Sequence, residues 1–180
     1  MRPTETMRPR SSRLIAGAVV ACCVVASIAV ASSGTGLVPV VRTLAVSGLV
    51  TALVWAVYWR PEVEVSDGGV RIVNPWRTVH VPWPAIDEVN HRWSLSVRTV
   101  DGRTVSAFAA PARGMSERGP GVADLAARTI TERREELRAA GYLDDVRLEG
   151  APVTVTPAAG PVLACLAGLV VTVASVLLPG

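Results

Sequence analysis

Charge is missing from long stretches of this chain, and that absence constrains its fold more than any motif does. Residues 14–41, 43–59 and 150–180 contain no Asp, Glu, Lys or Arg. A soluble domain spreads charge over its surface, at roughly a quarter of its residues. Here 18% of 180 residues are charged while 50% are hydrophobic. A helix of about 20 apolar residues crosses a hydrocarbon core of about 30 Å. Residues 14–32 and 43–59 have that character, the second extending back to Leu37 if Arg42 snorkels, and 158–178 supply a third run. The sequence therefore predicts three membrane helices. The second ends in Trp55, Tyr58 and Trp59 followed by Arg60, amphipathic rings and a cation that suit a membrane–water boundary.

The turn-forming residues 33–37 (SGTGL) make the first two helices a hairpin. The basic residues are all Arg, and four of them (Arg2, Arg8, Arg10, Arg13) precede the first helix. By the positive-inside rule this basic tail, 1–13, is cytoplasmic. Two crossings return the chain to the cytoplasm at Arg60, and a third leaves the C-terminus outside. Residues 60–157 carry thirteen Arg against fourteen acids, so the net charge of +3 arises in the tail and at Arg42. That balance excludes a nucleic-acid-binding domain, which needs a concentrated basic face. Two processing signals compete with the plain hairpin: the small-x-small step Ala29–Ala31 and a lipoprotein-like Val19–Cys22. The apolar run is long for the first, and Cys22 lacks a polar tether for the second. Cys22, Cys23 and Cys165 all lie in the apolar runs, which offers neither a disulfide framework nor zinc spacing. Small residues four apart (Gly17/Ala21, Gly48/Ala52, Ala164/Gly168) predict close helix packing, within the chain or in a homo-oligomer.

After Arg60 the pattern turns to period-two alternation. Residues 62–66 (EVEVS), 70–74 (VRIVN) and 76–81 (WRTVHV) read as strands joined by Asp67-Gly68-Gly69 and Asn74-Pro75 turns. Pro82-Trp83-Pro84 stops the third; residues 85–89 form a turn before a fourth strand through Arg92. Residues 93–100 put Trp93, Leu95, Val97 and Thr99 on one face, and Asp101-Gly102 is a hairpin turn into 103–108. A Gly/Pro-rich link, 111–121, leads to a helix with Val122, Leu125, Ala126, Thr129, Ile130, Arg133 and Leu137 on one stripe, an Asp124/Arg128 pair and a stop at Gly141. Residues 153–156 can add a strand. Strands followed by one covering helix make an α+β domain.

Several pieces in order, the Arg60-Pro61 step, DGGVRIVNPWRT, VPWPAIDEV and DGRTV, resemble the pleckstrin-homology-like (PH-like) domains of actinobacterial membrane proteins of the low molecular weight protein antigen 6 type. The resemblance covers about residues 60–110. It implies a bent antiparallel sheet closed by a C-terminal helix on the inner face of the plasma membrane. The expected organisation is thus a tail (1–13), a transmembrane hairpin (14–59), a cytoplasmic PH-like domain (60–141), a linker (142–157) and a third span (158–178), the last being a departure from many relatives.

Nothing in this pattern calls for an enzyme, a metal or a cofactor. His80 alternates to the outside of a strand, and His91 with Asp87 and Glu88 supplies too few ligands from one strand. No nucleophile elbow or phosphate loop occurs. The resemblance implies that relatives binding phosphoinositides do so with basic residues around the first hairpin; here that loop holds Asp67, preceded by Glu62 and Glu64, with Arg71 after it. The candidate binding residues are Trp83, between two prolines on an expected loop, with Trp76, Arg77 and Arg71; Arg98 is a further member of a possible basic patch, and Trp93 is expected in the core. The reading is a non-catalytic membrane scaffold that binds a protein or peptide through a sheet edge or end. The alternative is a peripheral sensor of anionic lipid headgroups.

Overall fold

The computed structural model describes residues 4–111, 121–143 and 152–177. The chain divides into two units: residues 1–9 with 61–157, and 10–60 with 158–180. The second unit is helical. It comprises α1 (Arg10–Ser32), α2 (Leu37–Val54) continued by a π-helical turn at Trp55–Trp59, and α4 (Ala159–Leu177). All three are long and apolar enough to cross a membrane. Gly34 (φ 70°) and Gly36 (φ 92°) make the reversal between α1 and α2, where backbone of positive φ favours glycine. The Arg13 guanidinium lies 5.2 Å from the centre of the Trp59 ring, stacking the start of α1 on the end of this helix.

α2 packs against both α1 and α4. Ser27 and Ser47 hydroxyls meet at 3.2 Å across the first pair. In the second, Gly168 lets α4 approach so closely that an added Cβ would stand 3.2 Å from Leu49 Cα. Of the Ala164/Gly168 step, Gly168 makes the close approach while Ala164 is exposed, and Gly17 and Gly48 have nothing within 4 Å of a Cβ position. α2 does extend back to Leu37, with Arg42 inside it. The reason is a partner: Arg42 donates from Nε to Ser175 O at 3.1 Å and from Nη2 to Val176 O at 3.3 Å. The last carbonyls of a helix have no acceptor role within it, and a cation there also opposes the negative end of the helix dipole.

The first unit is built on two sheets. The larger has the order β1 (Glu5–Met7), β2 (Glu62–Ser66), β3 (Gly69–Val73), β4 (Arg77–Val81), β8 (Thr154–Pro157), every neighbour antiparallel. The smaller has β5 (Ile86–Asn90), β6 (Ser94–Thr99) and β7 (Thr104–Pro111), also antiparallel. Alternation fills the core with Val63, Ile72, Val79, Leu95 and Val97, all essentially inaccessible to solvent. Helix α3 (Val122–Ala139) covers this core. Together these elements form a bent antiparallel sheet with a C-terminal helix, the PH-like α+β arrangement, beside helices able to span a membrane.

Several local expectations need correction. Residues 5–7 are a strand of the domain, which the basic tail alone did not announce. Residues 83–85 form a 3₁₀ turn, and the following strand ends at Asn90 rather than Arg92. α3 buries Ala123, Ala126, Ala127 and Ile130 and exposes Leu125, so its inward stripe is rotated from the expected one. Alanines let the helix lie close to the sheet, and closeness outweighs the size of Leu125. The Asp124 carboxylate accepts the Gly121 N–H at 3.0 Å, serving the helix N-terminus in place of Arg128. The stop at Gly141 (φ 75°) holds: Gly141 N–H reaches Arg138 O and Tyr142 N–H reaches Leu137 O, a Schellman ending. Most of the Gly/Pro-rich link 111–121 and residues 144–151 of the expected linker lie outside the described residues.

Candidate functional site

Three loops of the sheet unit carry the candidate residues. The first is the β2–β3 hairpin. Trp83, the candidate contact on an expected loop, is 3% exposed and its indole Nε1–H is shared between Ser66 O and Asp67 O, each at 3.1 Å. The two flanking prolines do not leave the ring in water. They bend the chain after β4 back over the hairpin, where the indole fills the core and its one donor finds two carbonyls. Arg133 of α3 makes an ion pair with Asp67 and a second with Glu136 at 3.2 Å. The hydrogen bond that Arg133 donates to the Asp67 carboxylate is the main influence raising the Arg133 pKa above its ordinary value. The hairpin tip is thus fastened by the domain's own helix.

Arg71 stands one strand over. In the register Thr6, Glu64, Arg71, His80 and Thr154 form one row across the larger sheet, and Arg71 donates to Glu64 at 3.1 Å. Arg77 alternates with Val79 and Val81, on the opposite side of β4 from His80. Arg98 lies on the smaller sheet, 4.0 Å from Asp87. The structure therefore does not gather Arg71, Arg77 and Arg98 into one basic patch. Around the first hairpin, Glu64 and Asp67 already occupy the nearest guanidinium groups.

The second loop is the β3–β4 turn, Asn74 to Arg77. Asn74 is buried. Its Nδ2 donates to Ser106 O at 2.9 Å and its Oδ1 accepts the Phe108 N–H at 2.8 Å, while its own N–H reaches Arg77 O at 2.8 Å. The side-chain amide pairs with β7 as a peptide group of a neighbouring strand would, and so ties the larger sheet to the smaller. Trp76 (45% exposed) and Arg77 project from this turn.

The third is the β5–β6 connection. Trp93, expected in the core, is 80% exposed because β6 begins one residue later, at Ser94. The alternation that runs inward through Leu95 and Val97 stops before it reaches the ring. The Arg92 guanidinium lies 5.8 Å from the Trp93 ring centre, and Asn90 Oδ1 accepts the Arg92 N–H at 3.0 Å. His91 is 4.0 Å from Asp124. On the far side of β5, Arg134 of α3 donates from Nη1 to Asp87 O at 2.8 Å. Its Nε is buried with no hydrogen-bond partner among the described residues, and this desolvation, with Arg138 nearby, pulls the Arg134 pKa below its ordinary value. Among the described residues no group of three His, Cys, Asp or Glu is placed to hold a metal ion.

Residues 60–118 match the bacterial PH domain family. The match takes in β2 to β7 and ends before α3. No curated protein and no solved structure matches the chain. PH domains are in general non-catalytic interaction modules. Of the residues singled out from the sequence, Trp76 and Arg77 are adjacent and exposed, Arg71 is ion-paired and Trp83 is interior. Trp93, Arg92 and Asn74 were not singled out as site residues. The signal for Trp93 was the polar run Asn90-His91-Arg92, which breaks the alternation just ahead of it. For Asn74 no local signal exists, since its partners lie more than thirty residues away.

Proposed function

We propose that this chain is a non-catalytic, membrane-anchored PH-like module on the inner face of the plasma membrane that binds a protein or peptide partner. The observation that carries the reading is the bacterial PH domain match over residues 60–118, in a chain with three helices apolar enough to cross a membrane. The four Arg of the tail support a cytoplasmic domain, and the order of the Arg60-Pro61 step and the two hairpins supports kinship with the actinobacterial antigen 6 type. The partner surface we favour is the β5–β6 tip, with Arg92 and Trp93, beside the outer edge of β5. An exposed tryptophan stacked on an arginine is the composition typical of interface anchors, and β5 pairs with β6 alone among the described strands. The lipid-headgroup alternative at the first hairpin is disfavoured by the pairing of Arg71 with Glu64 and of Arg133 with Asp67.

The test is in-cell photo-crosslinking in the full-length protein, with a photoreactive residue at Trp93 and, as control, at buried Trp83. The reading expects one recurrent protein adduct from position 93, lost when Arg92 is changed to Glu, and none from 83. An adduct between two copies of the chain would identify the partner as itself. Adducts to lipid alone would sink the protein-partner reading.

A further inference from the structure

We infer that the β3–β4 turn is a bilayer contact, with Trp76 and Arg77 lying at headgroup level in the membrane that the chain's own helices enter. The inference rests on the membrane-anchored reading above and adds to it a place and two residues. Its basis is strand register. Met7 is opposite Val63, Glu62 opposite Val73, Val73 opposite Thr78, and Arg77 opposite Pro157. One end of the larger sheet therefore collects the end of β1, the start of β2, the β3–β4 turn and the end of β8. Three of those four are also where the chain departs toward an apolar helix. Two residues separate Met7 from α1, two separate Trp59 from Glu62, and one separates Pro157 from α4. Each residue reaches at most about 3.5 Å. Three tethers this short keep that end of the sheet close to the bilayer, whatever angle the domain adopts. The β2–β3 hairpin tip, with Asp67 and Gly68, is at the other end of the same strands, farther by about 17 Å for five residues.

The chemistry of the turn fits an interfacial depth. Tryptophan concentrates at the headgroup level, and an arginine beside it can reach lipid phosphate while its stem stays in the apolar zone. Residues 74–77 contain no acid, and Glu62 at the same end is ion-paired with Arg8. The turn is also held in shape. Both ends of the Asn74 side-chain amide are bonded to β7, and Pro75 fixes its own φ, so Trp76 and Arg77 are presented by a rigid loop. Trp93 is more exposed than Trp76, but it belongs to the connection between two strands of the smaller sheet, and none of the three departures leaves from that sheet.

The experiment uses the full chain reconstituted in vesicles of phosphatidylcholine and phosphatidylglycerol with bromine on the upper acyl carbons. The difference in tryptophan emission between wild type and Trp76→Phe isolates Trp76, and Trp93→Phe isolates Trp93. The expected result is Trp76 emission reduced about twofold by bromolipid and shielded from aqueous iodide, as befits a ring in the interfacial belt, with Trp93 showing the reverse. Trp55 and Trp59 report the spans in the same sample. If they are quenched by bromolipid while Trp76 is quenched by iodide, this inference fails and membrane anchoring stands. If none of the three responds to bromolipid, both fail. A second handle leaves Trp76 in place: Arg77→Cys, in a chain whose three native cysteines are alanine, carrying a polarity-sensitive dye. Its emission should be shifted to the blue on vesicles relative to the same chain in a fluorinated surfactant, and the same dye on Trp93→Cys should show no such shift. An emission as red on vesicles as at position 93 would overturn the assignment.

Discussion

Gly69→Ala tests how the first hairpin is closed. Gly69 has φ +140°, and a Cβ there would fall 2.3 Å from Val81 O and 2.8 Å from Pro82 Cα. These are backbone atoms at the point where the chain leaves β4 to carry Trp83 over the hairpin, so no side chain can swing aside. The backbone conformation alone costs an alanine about 1–3 kcal/mol, and relieving the overlap adds about 1–3 kcal/mol. The sum, about 2–6 kcal/mol, is a large share of the roughly 5–15 kcal/mol that holds a small domain together. Gly102→Ala is the matched control. Its φ is +76°, yet nothing lies within 4 Å of a Cβ there, so only the backbone cost of about 1–2 kcal/mol applies. The stiffening of the unfolded chain by Ala is the same in both and cancels in the comparison. The assay is thermal unfolding of the full chain in detergent, followed through the emission of the interior tryptophan. At about 4–8 °C per kcal/mol for a domain of this size, the mid-range difference of about 2.5 kcal/mol puts the melting of G69A about 10–20 °C below that of G102A. Melting of the two variants within a few degrees of each other would refute the close approach of β3 to the Val81–Pro82 backbone.

Three further outcomes follow from single contacts. Asn74→Leu removes both bonds to β7 and should cost about 2–4 kcal/mol; Asn74→Asp keeps the acceptor for the Phe108 N–H but faces Ser106 O with an oxygen, and should also destabilise, both read by the same melting experiment. Gly168→Val forces α4 away from Leu49 at a cost of about 1–3 kcal/mol, whereas Gly48→Ala should be within about 0.5 kcal/mol of wild type; unfolding in detergent that ranks them the other way would contradict the α2–α4 packing. Arg42→Leu makes residue 42 more apolar, so hydropathy alone expects a better span. The carbonyls of Ser175 and Val176 would lose their donor, at about 1–3 kcal/mol for each group left unpaired, and hydrogen exchange in the last turn of α4 should speed up.

How much of this was legible depended on whether the determining contact was local. The three long apolar helices, the DGG and DG hairpins and the Gly141 stop are written in runs of adjacent residues, and each was placed to within a few positions. Alternation also identified the inward residues of β2, β3, β4 and β6. It failed at Trp93 and Trp83 for opposite reasons. At Trp93 one residue of strand boundary decides between core and water, and periodicity does not resolve one residue. At Trp83 the prolines correctly signalled a break in β4, but the direction of the break is set by the Ser66 and Asp67 carbonyls on a different hairpin. Helix α3 failed in a third way, because a stripe containing Leu125 and a stripe containing Ala123 and Ala127 differ by a fraction of a turn. Hydrophobicity favours the first and close packing on a sheet favours the second. Asn74 was read as a turn residue, which it is, while its bridging of the two sheets belongs to tertiary structure alone.

The edge strands tie these observations to the membrane. A long open edge invites pairing with other chains and a short edge strand limits it; the edge strands of the larger sheet are the short segments that adjoin the helices, β1 before α1 and β8 before α4. With the helices across a bilayer, β1 can pair with β2 only if residues 5–7 and 62–66 stand on the same side. That requires an even number of crossings between them, which the α1–α2 hairpin supplies. Correct insertion then becomes a condition for completing the domain, and the pairing in turn resists a flipped first helix. The same logic weighs against peptidase cleavage after Ala31: a chain cut there would lose β1 and the Arg8–Glu62 ion pair and would expose the β2 edge. Residues 5–7, inside the segment whose arginines the positive-inside rule reads as an orientation signal, are the outer strand of the larger sheet, so one short segment would serve both insertion and folding if the helices cross a bilayer.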